Sequence, residues 1–246
     1  MSDNRYCIII PTYNNCRTVA DVAQRALAVC RDVIVVNDGS TDGTADVLKD
    51  MDVTVLTHDR NRGKGKALKT GLLYARDKGY THAVTIDADG QHFPEDIPVL
   101  MEASGQNTGS LIVGCRNLTS ENMPRQNTFA NRFSNFWFRL QTAQCLDDTQ
   151  SGFRIYPLDR LYGMWLITSR YEAELELMVY AAWHGVRMIG VPVRVLYQPE
   201  GERVSHFRPF WDFFRITVLN TLLCIGAVLY ALPLALFRLI TGKRHG

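Results

Sequence analysis

Along the first half of the chain, short apolar runs alternate with longer segments in which apolar residues recur every three or four positions. The runs at 6–10, 33–37, 53–57, 83–87 and 111–114 have the length and β-branched content of buried strands. The segments between them, 18–30, 44–49, 65–78 and 94–103, carry the spacing of amphipathic helices. This alternation predicts an α/β fold with a mostly parallel central sheet flanked by helices. After Cys115 the pattern changes. Between 123 and 144, Phe129, Phe133, Phe136, Trp137 and Leu140 fall at helical spacing, with Asn131, Arg132, Asn135 and Arg139 between them. An aromatic and basic amphipathic helix of this kind suits a membrane surface, and equally an ordinary core. A helix over 171–184, a last strand over 187–195 and a polar loop over 198–210 follow.

From Ile216 to Phe237 the chain is almost uninterruptedly apolar, enough to meet the ~20 residues a bilayer span requires. Arg215 stands on one side, and Arg238, Lys243 and Arg244 on the other, so charge does not set an orientation. Asn220, Thr221 and Pro233 weaken the case for a simple span, leaving an interfacial helix or a hairpin bent near Pro233 open, and a buried core helix or a subunit contact as the soluble rival. The organisation expected is one domain over 1–212 in two halves, 1–115 and 116–212, then a membrane-associated segment over 213–246.

Chemistry gathers where the expected strands end. The fourth run stops at Asp87-Ala88-Asp89-Gly90-Gln91, and two acids one residue apart repel unless a positive charge sits between them. A hard divalent cation sharing phosphate oxygens fits that need; a helix cap before Pro94 is the bland alternative. Pro11-Thr12-Tyr13-Asn14-Asn15 ends the first run and suits a flat base. Asp38, in Asn37-Asp38-Gly39-Ser40-Thr41-Asp42-Gly43-Thr44, is placed to accept hydrogen bonds from a base or ribose. Asn61-Arg62-Gly63-Lys64-Gly65-Lys66-Ala67 sets glycines, lysines and a helix start together, an expected anion site. In an open α/β sheet all these fall on the one edge where ligands bind.

Bulk properties narrow the field. A formal net charge of +2, with 46% apolar and 21% charged residues, permits a packed core and argues against a nucleic-acid binder. Cysteines 7, 16, 30, 115, 145 and 224 form no CxxC pair, which suits a reducing, cytosolic setting, and Arg5 leads straight into the first strand with no signal peptide.

The four strand-end motifs, in order, resemble those of family 2 glycosyltransferases, and more narrowly the dolichyl- and polyprenyl-phosphate sugar synthases. Asp148-Thr149-Gln150-Ser151-Gly152-Phe153-Arg154 and Tyr171-Glu172-Ala173-Glu174-Leu175-Glu176 are similar to later motifs of that subgroup, and the likeness spans roughly residues 6 to 196. The resemblance implies a GT-A fold, a Mg²⁺ or Mn²⁺ ion, a UDP- or GDP-sugar donor, a polyprenyl phosphate acceptor and inversion at the anomeric carbon. By position it implies that Pro11, Tyr13, Asn14 and Asp38 hold the nucleoside and that Lys66 lies near the nucleotide. Asp87, Asp89 and Gln91 would hold the metal and diphosphate. Arg116, Arg125 and Arg154 would meet phosphate charge, and Ser151 would shape the acceptor side. Asp89, Asp148, Arg154 and Glu174 make the candidate catalytic set, Glu174 serving as base if the acceptor is a hydroxyl. The segment 202–210 does not map onto the family; Arg203 and His206 either close over the diphosphate or acceptor phosphate or flank a membrane helix. The cytosolic face of a bacterial inner membrane is the expected location. A hydroxyl acceptor on a glycolipid or glycan is the alternative, a nucleotidyltransferase a remoter one, and a non-enzymatic membrane scaffold the third rival.

Overall fold

A computed structural model describes residues 4–116, 125–161, 163, 168–196 and 209–241. Among these residues seven strands form one sheet in the order β3-β2-β1-β4-β6-β5-β7. They are β1 (Tyr6–Thr12), β2 (Val33–Asn37), β3 (Thr54–Thr57), β4 (His82–Thr85), β5 (Leu111–Arg116), β6 (Arg154–Pro157) and β7 (Met188–Val193). All run parallel except β6, which lies antiparallel between β4 and β5. The helices are α1 (Val19–Val29), α2 (Thr44–Leu48), α3 (Lys64–Asp77), α4 (Ile97–Gln106), α5 (Arg125–Thr142), α6 (Glu172–Trp183), α7 (Pro209–Gly226) and α8 (Leu232–Thr241).

Both faces of the sheet's centre are covered, as its apolar strands require, whereas β3, expected to be buried, is an edge strand and stays largely exposed. On β1, Ile8 and Ile10 join the cluster that packs on α1 and α4, while Cys7 and Ile9 face α3. The helices α5, α6 and α7 close a third cluster over β5 around Phe138, Met178, Leu219 and Leu223. From β1 the chain winds outward through β2 to β3, whereas β4 pairs on the other side of β1. That reversal opens a crevice beyond the C-terminal ends of β1 and β4.

β6 is the element the apolar pattern does not announce. Its four residues, Arg-Ile-Tyr-Pro, begin with a charge and end with a proline, yet all four are buried. The apolar tail also departs from a plain helix. Helical backbone runs from Pro209 to Thr241 through a π-helical segment, Ala227–Ala231. Pro233 lacks an N–H and crowds the carbonyl four residues back, that of Leu229. Leu229 lies inside the π segment, whose wider pairing accommodates the ring, so the helix continues past the proline.

Candidate active site

The loops that follow β1 and β2 are stitched to each other. Asn14, in left-handed backbone (φ 50°), accepts from the Thr41 N–H at 2.8 Å, and its own N–H donates to Ser40 Oγ at 2.9 Å. The Asn15 N–H donates to Thr44 Oγ1, and the Cys16 N–H to Asp42 Oδ2. Pro11 is buried in β1 and Tyr13 stands half-buried at the lip of the crevice. Thr18 Oγ1 donates to the Ala88 carbonyl at 2.6 Å, which ties this lip to the acidic loop beyond β4.

Asp38 is nearly sealed, at 2% exposure. Its Oδ1 accepts from the Arg62 N–H at 2.9 Å and faces His58 Nδ1 at 2.6 Å, while Oδ2 accepts from the Gly63 N–H at 2.7 Å. In this structure its carboxylate organises the 58–63 loop rather than opening to a ligand, so a direct bond to base or ribose needs that loop to give way.

The expected anion site at the start of α3 is occupied by the protein itself. A Cβ on Gly65 would stand 2.3 Å from that of Ala173, and the Lys66 N–H donates to the Ser169 carbonyl at 3.2 Å. The helix terminus is thus capped by the approach to α6, and only glycine permits that contact. Lys66 is half-buried beside it.

Lys64, the first residue of α3, turns into the crevice. Its Nζ lies 2.7 Å from Asp87 Oδ1 and 3.0 Å from Glu174 Oε2. Burial disfavours the ammonium, but Asp87 and Glu174 outweigh it and hold the amine charged well above its usual range. Burial likewise raises Asp87, and the attraction of Lys64 overrides it, so the carboxyl titrates below its usual value. Asp87 and Lys64 retain 27% and 20% side-chain exposure, so the pair faces an open crevice. A Cβ on Gly152 would sit 2.7 Å from Asp87 Oδ2 and 3.0 Å from Lys64 Nζ, which explains a glycine in the Ser-Gly-Phe-Arg stretch. Asp89 Oδ1 accepts from the Gln91 N–H at 2.9 Å and shapes the turn that carries both residues. His92 follows, 5% exposed, its ring 5.2 Å from that of Phe153, and burial lowers its pKa to about 4. The Gln91 carbonyl accepts from the Leu196 N–H, and Asp96 receives Arg194 at 2.6 and 2.9 Å, fastening the acidic loop to the strand end after β7.

On the other side of the crevice Asp148 is fully buried and bonded through both oxygens. Arg116 reaches it at 2.6 and 2.9 Å, and Asn131 of α5 donates to Oδ1 at 2.6 Å. Burial pushes this carboxyl up, the Arg116 bond pulls it down, and the net shift is downward. Ser151, 2% exposed, accepts from the Phe153 N–H and shapes the turn into β6.

Arg154 differs from its expected role. It is fully buried, and its terminal nitrogens donate to Tyr156 Oη, the Glu174 carbonyl and the Thr149 carbonyl, each at 3.1 Å. It locks β6 to α6 and the 148–154 turn and does not reach solvent, so it is placed to brace the site rather than to touch phosphate. Asp148 is likewise a brace for Arg116. The side chain of Arg125, and Arg203 and His206 altogether, lie outside the described residues.

Residues 7–157 match the family Glycosyl transferase family 2. This chain is a family 2 glycosyltransferase. Among its relatives, an undecaprenyl-phosphate mannosyltransferase of Micrococcus luteus is 31% identical over 211 residues, covering 80% of this chain and 86% of that one. A UDP-N-acetylglucosamine–dolichyl-phosphate N-acetylglucosaminyltransferase of Methanococcus voltae is 29% identical over 220 residues, covering 80% and 88%. The fold is that of glucosyl-3-phosphoglycerate synthase from Mycobacterium tuberculosis, solved with Mn²⁺ and UDP-glucose: TM-score 0.63 at 19% identity, covering 91% of this chain and 80% of that one. The enzyme therefore has a GT-A fold and resembles polyprenyl-phosphate sugar transferases.

The donor set of the glycosyltransferase fits a divalent cation. Asp87, Asp89 and Gln91 offer hard oxygens on one turn, and Lys64 already stands as a surrogate cation against Asp87. Among the described residues no cluster of three acids, histidines or cysteines gathers, so a six-coordinate ion here would draw further oxygens from a diphosphate or water.

The glycosyltransferase also carries an unusual outer face. On α5 the buried positions include polar Asn131, Ser134 and Gln141, while Phe136 and Leu140 are 60% and 59% exposed. On α7, Leu219, Asn220 and Leu223 pack inward, with Gln141 donating to Asn220 Oδ1 at 2.9 Å, while Phe214, Val218, Leu222 and Ile225 face out. The apolar stretch Phe214–Phe237 is 24 residues long and only 17% buried in its most apolar window, which disposes of the buried core helix.

Proposed function

We propose that this enzyme moves a sugar from a nucleotide-diphosphate donor to a polyprenyl phosphate at the cytosolic face of a membrane, with inversion and with Mg²⁺ or Mn²⁺. The observation that carries the reading is a bond. Asn131, on the helix whose outward face is Phe136 and Leu140, donates to Asp148, and Asp148 holds Arg116 at the catalytic crevice. Hydrogen bonds thus join the helix that carries the apolar outer face to the arginine at the crevice, which supports a lipid acceptor. A lipid acceptor needs its tail and its phosphate served together.

In this reading Pro11, Tyr13 and Asn14 line the nucleoside pocket, and Asp38 sets the loop that closes it. Lys66 flanks the nucleotide, and Asp87, Asp89 and Gln91 hold the cation and diphosphate. The bound cation would neutralise charge on the departing diphosphate, a contribution of several kcal/mol in such sites. An acceptor phosphate oxygen attacks the anomeric carbon, and the bond from that carbon to the diphosphate breaks, its electrons leaving with the nucleotide. A phosphate nucleophile is already anionic and surrenders no proton, so it requires placement rather than a base. Arg116 offers that placement, joined in this reading by Arg125, while Ser151 shapes the turn opposite. Glu174, the base a hydroxyl acceptor would use, is engaged by Lys64.

The test is transfer itself. Membranes bearing the enzyme, given radiolabelled UDP- and GDP-sugars in turn with Mn²⁺, yield a labelled lipid that releases its sugar in mild acid. Label found only in polymer overturns the lipid-phosphate acceptor.

The lipid-facing role of α5 has its own readout. Changing Phe136 and Leu140 together to Asp raises KM for a long-chain polyprenyl phosphate on the order of tenfold or more, because each such side chain contributes ~1.5–3 kcal/mol when buried. Binding of nucleotide diphosphate with Mn²⁺ stays at its wild-type value. An unchanged KM removes α5 from the lipid contact.

A further inference from the structure

Lys64 is the cation of this site before any ligand arrives. Its ammonium is shared between Asp87, at the end of β4, and Glu174, on α6, at 2.7 and 3.0 Å. Two carboxylates and one ammonium leave a single net negative charge. The backbone at Gly152 closes the same pocket from a third side, leaving no room there even for a Cβ. A divalent ion bound to Asp87 would lie within a few ångströms of the ammonium, where like charges repel strongly in a partly desolvated site. The ion can take Asp87 only as the ammonium turns away, and the ammonium then needs a new anion. A nucleotide diphosphate brings one.

We propose that Lys64 is a placeholder cation that makes metal and nucleotide bind as a unit: it holds Asp87 against a free divalent ion and yields it when the diphosphate arrives to take the ammonium. The proposal rests on the donor chemistry given above. It assigns Lys64, not Lys66, as the residue that couples the two ligands, and by linkage the coupling acts equally in both directions. Glu174 has a part in this: it retains the ammonium in the crevice after Asp87 is released, so that Lys64 remains within reach of the diphosphate.

The experiment is calorimetric titration of the full-length protein in nanodiscs with Mn²⁺ alone, then with Mn²⁺ in the presence of UDP or GDP. Wild type binds Mn²⁺ alone weakly and with the nucleotide far more tightly. Lys64→Met binds Mn²⁺ alone about tenfold more tightly than wild type, and the gain from nucleotide shrinks correspondingly. Lys64→Arg keeps a placeholder charge and stays weak for Mn²⁺ alone. Lys78→Met, which removes a charge just past the far end of α3, shifts Mn²⁺ affinity by no more than about twofold. Where Lys64→Met is too unstable to titrate, because Asp87 and Glu174 then repel, Mn²⁺ alone restores its melting transition, whereas it moves that of wild type little. Equal Mn²⁺ affinity in wild type and Lys64→Met, or no rescue by Mn²⁺, overturns the placeholder while nucleotide-dependent Mn²⁺ binding leaves the donor reading standing. If no variant, wild type included, binds Mn²⁺ with either nucleotide, the donor reading falls and takes the placeholder with it.

Discussion

Asp89→Asn keeps its fold and loses sugar transfer by about three orders of magnitude. The size follows from charge: a carboxylate on a divalent ion at a departing diphosphate supports several kcal/mol of transition-state stabilisation, and about 4 kcal/mol corresponds to a thousandfold. The fold survives because Asn retains the oxygen that accepts the Gln91 N–H, the bond that shapes the turn. Single-turnover transfer and thermal melting measured on one preparation separate the two effects. Transfer within about tenfold of wild type, with an unaltered Mn²⁺ requirement, removes Asp89 from the cation.

Asp148→Asn has the opposite profile, a large loss of stability, with the effect on transfer by the folded molecules confined to a raised KM for the acceptor through Arg116. Asp148 is fully buried and its charge is matched by Arg116. Removing one partner of a buried pair leaves the other desolvated and typically costs about 3–5 kcal/mol. In a chain of this size that lowers the melting temperature on the order of 10 °C. The sign of the acid response is fixed as well. The folded carboxyl titrates below its unfolded value, so its contribution is complete above the unfolded pKa of ~3.9 and disappears as pH falls through the folded one. Wild type therefore loses stability in acid below about pH 4 more steeply than Asp148→Asn does. Unchanged melting with collapsed turnover would instead place Asp148 against the substrate.

Six of the seven strands, the helices α1 to α6 and the sheet edge that gathers the polar motifs were legible in the sequence, because most strand runs are largely apolar and four of them end in a polar motif. One strand and the inward face of one helix were not, for different physical reasons. β6 hides because the terminal nitrogens of its charged first residue, Arg154, are held by carbonyls from outside the strand, a tertiary arrangement with no local signature. The same arginine, sitting in a motif beside phosphate-binding candidates, reads as a phosphate contact until its burial is seen. On α5 the spacing identifies a helix but not which face goes in; the polar set Asn131, Ser134 and Gln141 is buried because Asp148, Thr149 and Asn220 supply partners. The choice between Lys64 and Lys66 is of the same kind. Two positions apart on a helix, they point to nearly opposite sides, and only the docking of α3 on α6 decides which one meets the acids.

The lone antiparallel strand also orders the chain's assembly in time. The sheet's centre is completed by β6, which slots between β4 and β5 although β5 is made first. A nascent chain can join β1 to β4 in parallel as they emerge, but His82–Thr85 keeps one hydrogen-bonding edge open until residue 157 has left the ribosome. That edge is wholly buried in the finished enzyme, so while open it is a template for pairing with another chain. Chains that end before Arg154 leave that edge unpaired and are expected to sediment as aggregates where the whole chain stays dispersed.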